Sequence, residues 1–259
     1  MAPLRLLAVA VAAALAQPLL AEHLVIYGPD LPSSSEPGGK GRDGETVGTV
    51  LQYCGYTTEF RLMPFGRHIR SFTEADVADG VMTVPLNTTV AGASSEAYIW
   101  YQNGAASLRS KALDIGSVDD LAGLRLVTFQ NGISILELEE YLEQFGSITE
   151  VSNQRVHSHL LFLGRVDAIL TDGLILAEIN RRLENEDKAV LKGAELGEPM
   201  DFAPIFQPTP YKMVFRNERH RDDFERCYSQ LDQLGHIHEI NDRHVGKYRD
   251  SIGYRYLGY

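Results

Sequence analysis

In one segment of the chain, an apolar strand is followed directly by an acidic residue and a glycine. Residues 166–173 read VDAILTDG, and Asp172 and Gly173 stand where the next helix is expected to begin. A strand buried on both faces has a continuous apolar sequence of this kind. Open α/β sheets bind ligands beyond the carboxyl ends of their strands. The segment therefore predicts an α/β fold with a candidate binding position at Asp172.

A second segment has the same plan in the first half of the chain. Residues 78–85 read ADGVMTVP, so that Thr83 lies near the end of another apolar strand. Around each segment, strand and helix patterns alternate, which favours sheets with parallel strands. Two such strand ends, one in each half, predict two lobes that face each other across a cleft.

Further helices and strands are expected on either side of these segments. Val47, Val50, Leu51 and Cys54 recur at helical spacing, and Asp43 is placed to cap that helix. In the second half, the turn at residues 130–134 predicts an amphipathic helix that continues through residue 145. A last helix is expected at residues 218–234, followed by a tyrosine-rich tail.

The N-terminus has the pattern of an export signal. Arg5 precedes an uncharged apolar run at residues 6–16, which is shorter than the roughly 20 residues that span a bilayer. Cleavage is expected after Ala21, and residues 14–16 offer a competing site. The remaining chain is long enough for two modest lobes. We therefore expect an exported protein that resides in the periplasm.

Charge and cysteine content narrow the function classes. The chain has 24 basic and 35 acidic residues, and the absence of a basic run argues against binding of nucleic acid or anionic lipid. Cys54 and Cys227 are its two cysteines. In an oxidising compartment they tend to pair if the geometry permits, and two separately buried thiols are the alternative.

No motif indicates a metal, a cofactor or a catalytic constellation. The pairs His157/His159 and His236/His238 lack cysteine or carboxylate partners at a recognised spacing. A serine nucleophile elbow, a phosphate loop and a zinc signature are also missing. We therefore predict no catalytic residues, no metal and no cofactor.

Four segments together resemble the extracellular solute-binding proteins of family 3, which deliver amino acids and similar solutes to ABC transporters. They are the strand at 78–85, SSEAY at 94–98, the segment 118–130 (similar to "LxDLxGKxVGVQ") and GRVDA with the acid at 164–172 (similar to "GxVDAxxxD"). The resemblance extends over almost the whole chain after the signal, and its strength lies in the order and spacing of these segments.

The resemblance implies a two-lobed periplasmic binding protein fold of type II, in which each lobe is a mixed sheet flanked by helices. It places residues 22–105 and 212–259 in lobe 1 and residues 106–211 in lobe 2. Two crossing hinge strands are expected near 105–111 and 209–215. Because the family's C-terminal helices return to lobe 1, the resemblance also favours a disulfide between Cys54 and Cys227.

The resemblance also suggests which residues contact a solute. Asp172 is expected to accept a hydrogen bond from an ammonium or hydroxyl group, although it could instead cap the following helix. Gly132 and Ser134 stand at a helix start, whose backbone N–H groups favour an anionic or carbonyl group. The predicted ligand-binding residues are Asp30, Phe65, Arg67, Met82, Thr83, Thr88, Tyr98, Gly132, Ser134 and Asp172.

One departure from the family concerns the solute. Amino-acid receptors of this family carry an arginine that binds the α-carboxylate in a bidentate fork, and Thr88 stands at that position here. Arg67 is a candidate replacement, with a solvated position on a helix face as the alternative. The identity of the solute is therefore left open.

Taken together, the sequence predicts a monomeric periplasmic protein that captures a small polar solute for the membrane subunits of an ABC importer. Two alternatives remain. One is an enzyme on the same scaffold, since cyclohexadienyl dehydratases resemble these receptors, and Asp172 or Glu96 would then be the nearest acid or base. The other is a solute sensor that acts with a membrane receptor.

Overall fold

The computed structural model describes residues 21–185, 198–252 and 256–258. The predicted signal segment lies outside these residues, except for its last residue, Ala21. The strands are β1 (His23–Pro29), β2 (Thr57–Met63), β3 (Gly80–Pro85), β4 (Ala93–Tyr101), β5 (Asn103–Leu108), β6 (Arg125–Phe129), β7 (Ser147–Val151), β8 (Ala168–Asp172), β9 (Met200–Ala203) and β10 (Thr209–Phe215). The α-helices are α1 (Arg42–Tyr53), α2 (Arg67–Glu74), α3 (Gly132–Ile135), α4 (His157–Phe162), α5 (Gly173–Asn185), α6 (Glu218–Gln233), α7 (His236–Gly246) and α8 (Arg249–Ile252).

These strands form two five-stranded mixed sheets, one in each lobe. The sheet of lobe 1 has the order β2-β1-β3-β10-β4, and that of lobe 2 has the order β7-β6-β8-β5-β9. In each sheet the strands that alternate with helices pair in parallel, whereas β10 and β5 pair antiparallel to their neighbours. Every residue of β3 and of β8 is buried, as their continuous apolar sequences predicted. The two segments that opened the sequence analysis are thus interior strands of the two sheets.

Within the described residues, the chain passes between the lobes at three places. Gln102 joins β4 to β5, and residues 204–208 join β9 to β10. The third passage follows α7, which packs against α1 and α6 of lobe 1. Beyond it, α8 packs against α5 and β9 of lobe 2, although the predicted range of lobe 1 runs to residue 259. Apolar residues after α7 are buried against α5, so this part of the chain packs on lobe 2.

The structure departs from the expected elements in several places. The helix expected from residue 130 through Phe145 is reduced to α3 and a short 3₁₀ turn at Glu139–Tyr141. Glu137 between them has a φ of 56°, which ends a right-handed helix. Buried Leu136 and Leu138 turn this segment into the core instead. The structure also contains β4, β9, α7 and α8, which the sequence analysis did not predict.

A disulfide joins Cys54 at the end of α1 to Cys227 in α6, with a Cα–Cα distance of 5.9 Å. The predicted pairing is therefore confirmed, and it ties the C-terminal helices to the first helix of lobe 1. In the part of the chain that the structure describes, no helix combines the length and the apolar character needed to cross a membrane.

Candidate functional site

The two lobes meet at a buried polar cluster that we call the deep junction, formed by Arg42, Asp43, Thr83, Tyr101, Asp172 and Tyr256. Thr83 is near the end of β3 in lobe 1, and Asp172 ends β8 in lobe 2. All six residues are buried. The ends of the interior strands therefore face each other across the cleft, as the sequence predicted, and they do so around charged groups.

Asp43 is the hydrogen-bond acceptor at the centre of the lobe 1 side. It accepts from Thr83 Oγ1 at 2.6 Å, Tyr98 Oη at 2.5 Å and Tyr101 Oη at 2.9 Å. Burial raises the pKa of this carboxyl above its usual value, and the three hydroxyl donors oppose that shift. The expectation that Asp43 caps α1 is wrong, because Gly41 is the N-cap and no side chain caps the helix.

Arg42 places a guanidinium beside these carboxylates with only 1% of its surface exposed. It donates to the carbonyl of Trp100 at 2.6 Å, and it lies 5.1 Å from the ring centroid of Tyr101. Burial lowers the pKa of Arg42, but Tyr256, Tyr101 and the carboxylates of Asp172 and Asp43 outweigh that effect. The pKa therefore stays above its usual value. Its Nε is buried without a hydrogen-bond partner among the described residues.

Asp172 has both carboxylate oxygens engaged. Oδ1 accepts from the backbone N–H of Leu174 at 2.9 Å and of Ile175 at 3.1 Å, so the residue caps α5. Oδ2 accepts from Tyr256 Oη at 2.6 Å. Burial raises the pKa of Asp172, and Arg42 and Tyr256 oppose this shift. The capping alternative for Asp172 is thus observed, and its contact with a solute stays a prediction.

Little space remains within the deep junction. The cavity lined by Phe65, Thr83 and Asp172, together with Tyr101 and Tyr211, has a volume of about 10 Å³. This is enough for one water molecule at most. The groups that the sequence offered as solute contacts at this depth are therefore bonded to the chain's own side chains.

A larger opening, which we call the outer groove, lies along the junction outside this cluster. It consists of two adjoining cavities of about 560 Å³ each, which share Pro85, Asn87 and Ile135 in their linings. Lobe 1 contributes Arg70 and Thr88, and lobe 2 contributes Asn131 and Ser134. Its volume is in the range of small-molecule sites.

The polar side chains of the outer groove differ in whether they already have partners. Among the described residues, none bonds the side chain of Arg70, Asn87, Thr88 or Ser134. By contrast, Glu150 accepts from the backbone N–H of Asn131 at 3.1 Å and of Ile133 at 2.9 Å. An internal carboxylate thus occupies the N–H groups at the start of α3 that were expected to bind a solute. In the second cavity of the groove, the side chains of Glu137 and Gln207 also have no partner among the described residues. The groove therefore retains one guanidinium, one carboxylate, two amides and two hydroxyls for recognition.

The remaining predicted site residues lie in different surroundings. Asp30 is exposed and forms an ion pair with Arg155 of lobe 2 at 3.0 Å. Arg67 is exposed at the start of α2 and lines neither the groove nor the small cavity. Met82 lies fully buried beneath Gly28 in lobe 1, and Tyr98 is buried against Asp43. Phe65 lines both the outer groove and the small cavity of the deep junction, and it packs edge-on against Phe129 with ring centroids 5.7 Å apart.

Gly132, a predicted solute contact, and Glu96, the alternative acid or base, also lie outside the deep junction. A Cβ at Gly132 would collide with the Thr128 side chain, so the start of α3 packs closely against β6. Glu96 is exposed on β4 and lines none of these cavities. Over the described residues, no cluster of three or more histidine, cysteine or acidic side chains has the arrangement of a metal site.

Sequence reasoning missed five residues as parts of the site, which are Arg42, Asp43, Tyr101, Glu150 and Tyr256. The sequence analysis places Tyr256 only in the tyrosine-rich tail. The available signal for Arg42 was its place directly before an aspartate in the first turn of a helix, after the glycine-rich residues 38–41 (GGKG). No local sequence feature indicates that Tyr256 belongs to the site, because its partner Asp172 lies 84 positions away in the sequence.

Comparisons with known proteins rest on structure alone. No protein-family profile matches the chain, and no curated protein matches it in sequence. An ancestral arginine-binding protein bound to arginine superposes with a TM-score of 0.69 at 18% identity, covering 86% of this chain and 98% of that chain. A histidine kinase sensor domain with similarity to periplasmic binding proteins has a TM-score of 0.69 at 18% identity, covering 88% and 97%.

A third solved structure is an amino acid ABC transporter substrate-binding protein from Streptococcus pneumoniae bound to L-arginine. It superposes with a TM-score of 0.66 at 16% identity, covering 86% of this chain and 94% of that chain. These proteins are similar in fold over nearly their whole lengths, and at this identity the likeness concerns the fold. The chain therefore has the two-lobed α/β fold of type II periplasmic binding proteins.

Proposed function

We propose that this protein binds a small polar solute in the outer groove between its two lobes. The observation that carries the proposal is the contrast in free space: about 560 Å³ in each half of the groove against about 10 Å³ in the deep junction. A small polar solute fits the groove but not the deeper cavity. The fold supports the same function, since similar structures contain bound arginine.

The charged side chains that line the groove are Arg70, Glu137 and Glu150, and of these Arg70 favours a solute with a carboxylate or another anionic group. Arg70 is exposed at the groove and has no side-chain partner among the described residues. A guanidinium recognises carboxylates with paired N–H donors. Arg70 thus supplies, from α2, the positive charge that is missing at Thr88. Thr88 and Ser134 add hydroxyls from opposite lobes, so that a bound solute links the two lobes.

Export, residence in the periplasm and delivery to an ABC importer belong to the same proposal. They are supported by the signal-like N-terminal sequence and by the fold shared with an ABC transporter substrate-binding protein. The enzyme alternative gains no support from the site, because Asp172 has both oxygens bonded within the protein and Glu96 lies outside the cavities.

A thermal-shift screen against a library of small anionic and zwitterionic solutes tests this function. A solute that binds only the folded state raises the melting temperature by mass action. We expect at least one carboxylate-bearing solute to do so, and Arg70→Gln to weaken its binding about tenfold or more while the melting temperature of the free protein stays unchanged.

Arg67→Gln is the matched control, since Arg67 is an exposed arginine on the same helix that does not line the groove. It should leave the Kd within about twofold, as expected for a screened surface charge. Equal effects of the two substitutions would contradict a specific role for Arg70. A screen in which no solute shifts the melting temperature would contradict the binding function itself.

A further inference from the structure

The C-terminal end of the chain forms a link between the lobes that we call the C-terminal strap: residues 247–252 and 256–258. It leaves α7 on lobe 1 and buries Tyr248, Ile252 and Tyr256 against Leu174 and Ala177 of α5 in lobe 2. Tyr248 Oη also donates to Glu178 Oε2. The strap thus brings side chains from the far end of the sequence into the cleft.

Tyr256 occupies a site with distinct polar and apolar sides. Its side chain is fully buried, and its phenol hydroxyl donates to Asp172 Oδ2 at 2.6 Å. The guanidinium of Arg42 lies 6.0 Å from the ring centroid, at the outer limit of a cation–π contact. A Cβ on Gly173 would lie 3.1 Å from Tyr256 Cδ2, so the glycine leaves room for the ring. A carboxylate acceptor, a cation and a close backbone surface therefore surround one phenol.

Two observations indicate a binding site in addition to packing. Asp172, at the carboxyl end of an interior strand, stands where open α/β sheets bind ligands, and the group that it holds is the hydroxyl of Tyr256. Arg42 Nε is a buried donor without a partner among the described residues. A buried donor left unpaired costs free energy, and an occupant with an additional acceptor would satisfy it.

We propose that the pocket around Tyr256 is a binding site for a phenol group, which the protein fills with its own tyrosine and which a phenol-bearing ligand occupies when the strap leaves. Tethering gives Tyr256 a high effective concentration at Asp172. A free ligand therefore competes only when it adds contacts that Tyr256 lacks, such as an acceptor for Arg42 Nε. The inference does not rest on the groove, because the two sites are lined by different polar groups.

The test uses the full-length chain with Tyr256→Ala and the probe 4-methylphenol, which has the ring and hydroxyl of a tyrosine side chain. Binding is measured by calorimetry beside the wild type and beside Tyr53→Ala, which removes a tyrosine that is 51% exposed. We expect 4-methylphenol to bind Tyr256→Ala at least tenfold more tightly than either of the other two proteins. Toluene, which lacks the hydroxyl, should bind that variant at least tenfold more weakly than 4-methylphenol.

Two results would overturn the proposal. One is equal affinity of 4-methylphenol for the wild type and Tyr256→Ala, and the other is equal affinity of the variant for toluene and 4-methylphenol. If Tyr256→Ala is unfolded alone, the expected result is that 4-methylphenol refolds it and toluene does not, and failure to refold counts against the site. None of these outcomes depends on the solute screen of the groove.

Discussion

The deep junction and the outer groove belong to the same cleft but differ in how their polar groups are satisfied. In the deep junction, Asp43 and Asp172 are bonded by hydroxyl and backbone donors of the chain itself. In the groove, Arg70 and Thr88 have no side-chain partner among the described residues. Buried polar groups must be paired inside the protein, whereas groups at an open groove can be satisfied by water. The comparison assigns recognition of the polar solute to the groove, and it assigns stability to the deep junction while Tyr256 occupies its pocket.

The largest effect on this comparison is expected from removing the central acceptor of the deep junction. Asp43→Ala leaves Arg42 with Asp172 as its one remaining carboxylate in the deep junction, and it leaves three hydroxyls without their acceptor. Breaking a buried charge arrangement on one side costs about 3–5 kcal/mol of unfolding free energy. Urea unfolding measures this loss.

Asn87→Ala in the groove is the control for that experiment. Asn87 is exposed and has no side-chain bond to a described residue, so its loss should change the unfolding free energy by no more than about 0.5 kcal/mol. If both variants lose the same stability, the division between the deep junction and the groove is wrong.

A smaller effect is expected from two of the buried histidines, one in each lobe. Burial lowers the pKa of His68 in α2 and of His157 in α4 to about 4. Between pH 6.5 and pH 4 the unfolded chain therefore binds more protons than the folded protein, and stability falls as the pH falls. Each histidine accounts for about 2 kcal/mol of the loss between pH 8 and pH 5.

His157→Leu isolates this contribution. The raised pKa values of Asp43 and Asp172 act in the opposite direction, because the folded protein holds their protons more tightly and its stability falls as pH rises through those values. These carboxyls are present in both proteins, so they cancel in the difference. Urea unfolding at pH 8 and pH 5 should show a loss about 2 kcal/mol smaller in the variant. An unchanged difference would mean that His157 is not held neutral.

The smallest effect is expected from the ion pair at the rim of the cleft. Arg155 of lobe 2 and Asp30 of lobe 1 have side chains that are 40% and 44% exposed. Exposed pairs contribute about 0.2–1 kcal/mol, and salt screens them. A double-mutant cycle with Arg155→Gln and Asp30→Asn should give a coupling energy in this range that disappears in about 1 M salt. A coupling energy that persists in about 1 M salt would mean that the pair is shielded from solvent in the way that the buried groups are.

The elements that the sequence predicted are those governed by local pattern. The interior strands β3 and β8 are buried along their whole lengths, and α6 follows the expected range closely. The helix expected through Phe145 was wrong because Leu136 and Leu138 are buried on either side of Glu137, whose positive φ breaks the helix. Periodicity alone does not reveal such a break.

The sequence by itself determined the α/β architecture, the two interior strands and the position of Asp172 at a strand end, because apolar periodicity and helix starts are local properties of the chain. Only the tertiary structure decided that Tyr256 reaches Asp172 and that Asp43 collects three hydroxyls. Those contacts join residues far apart in sequence, and they exist because buried charges must find partners wherever folding brings the chain together.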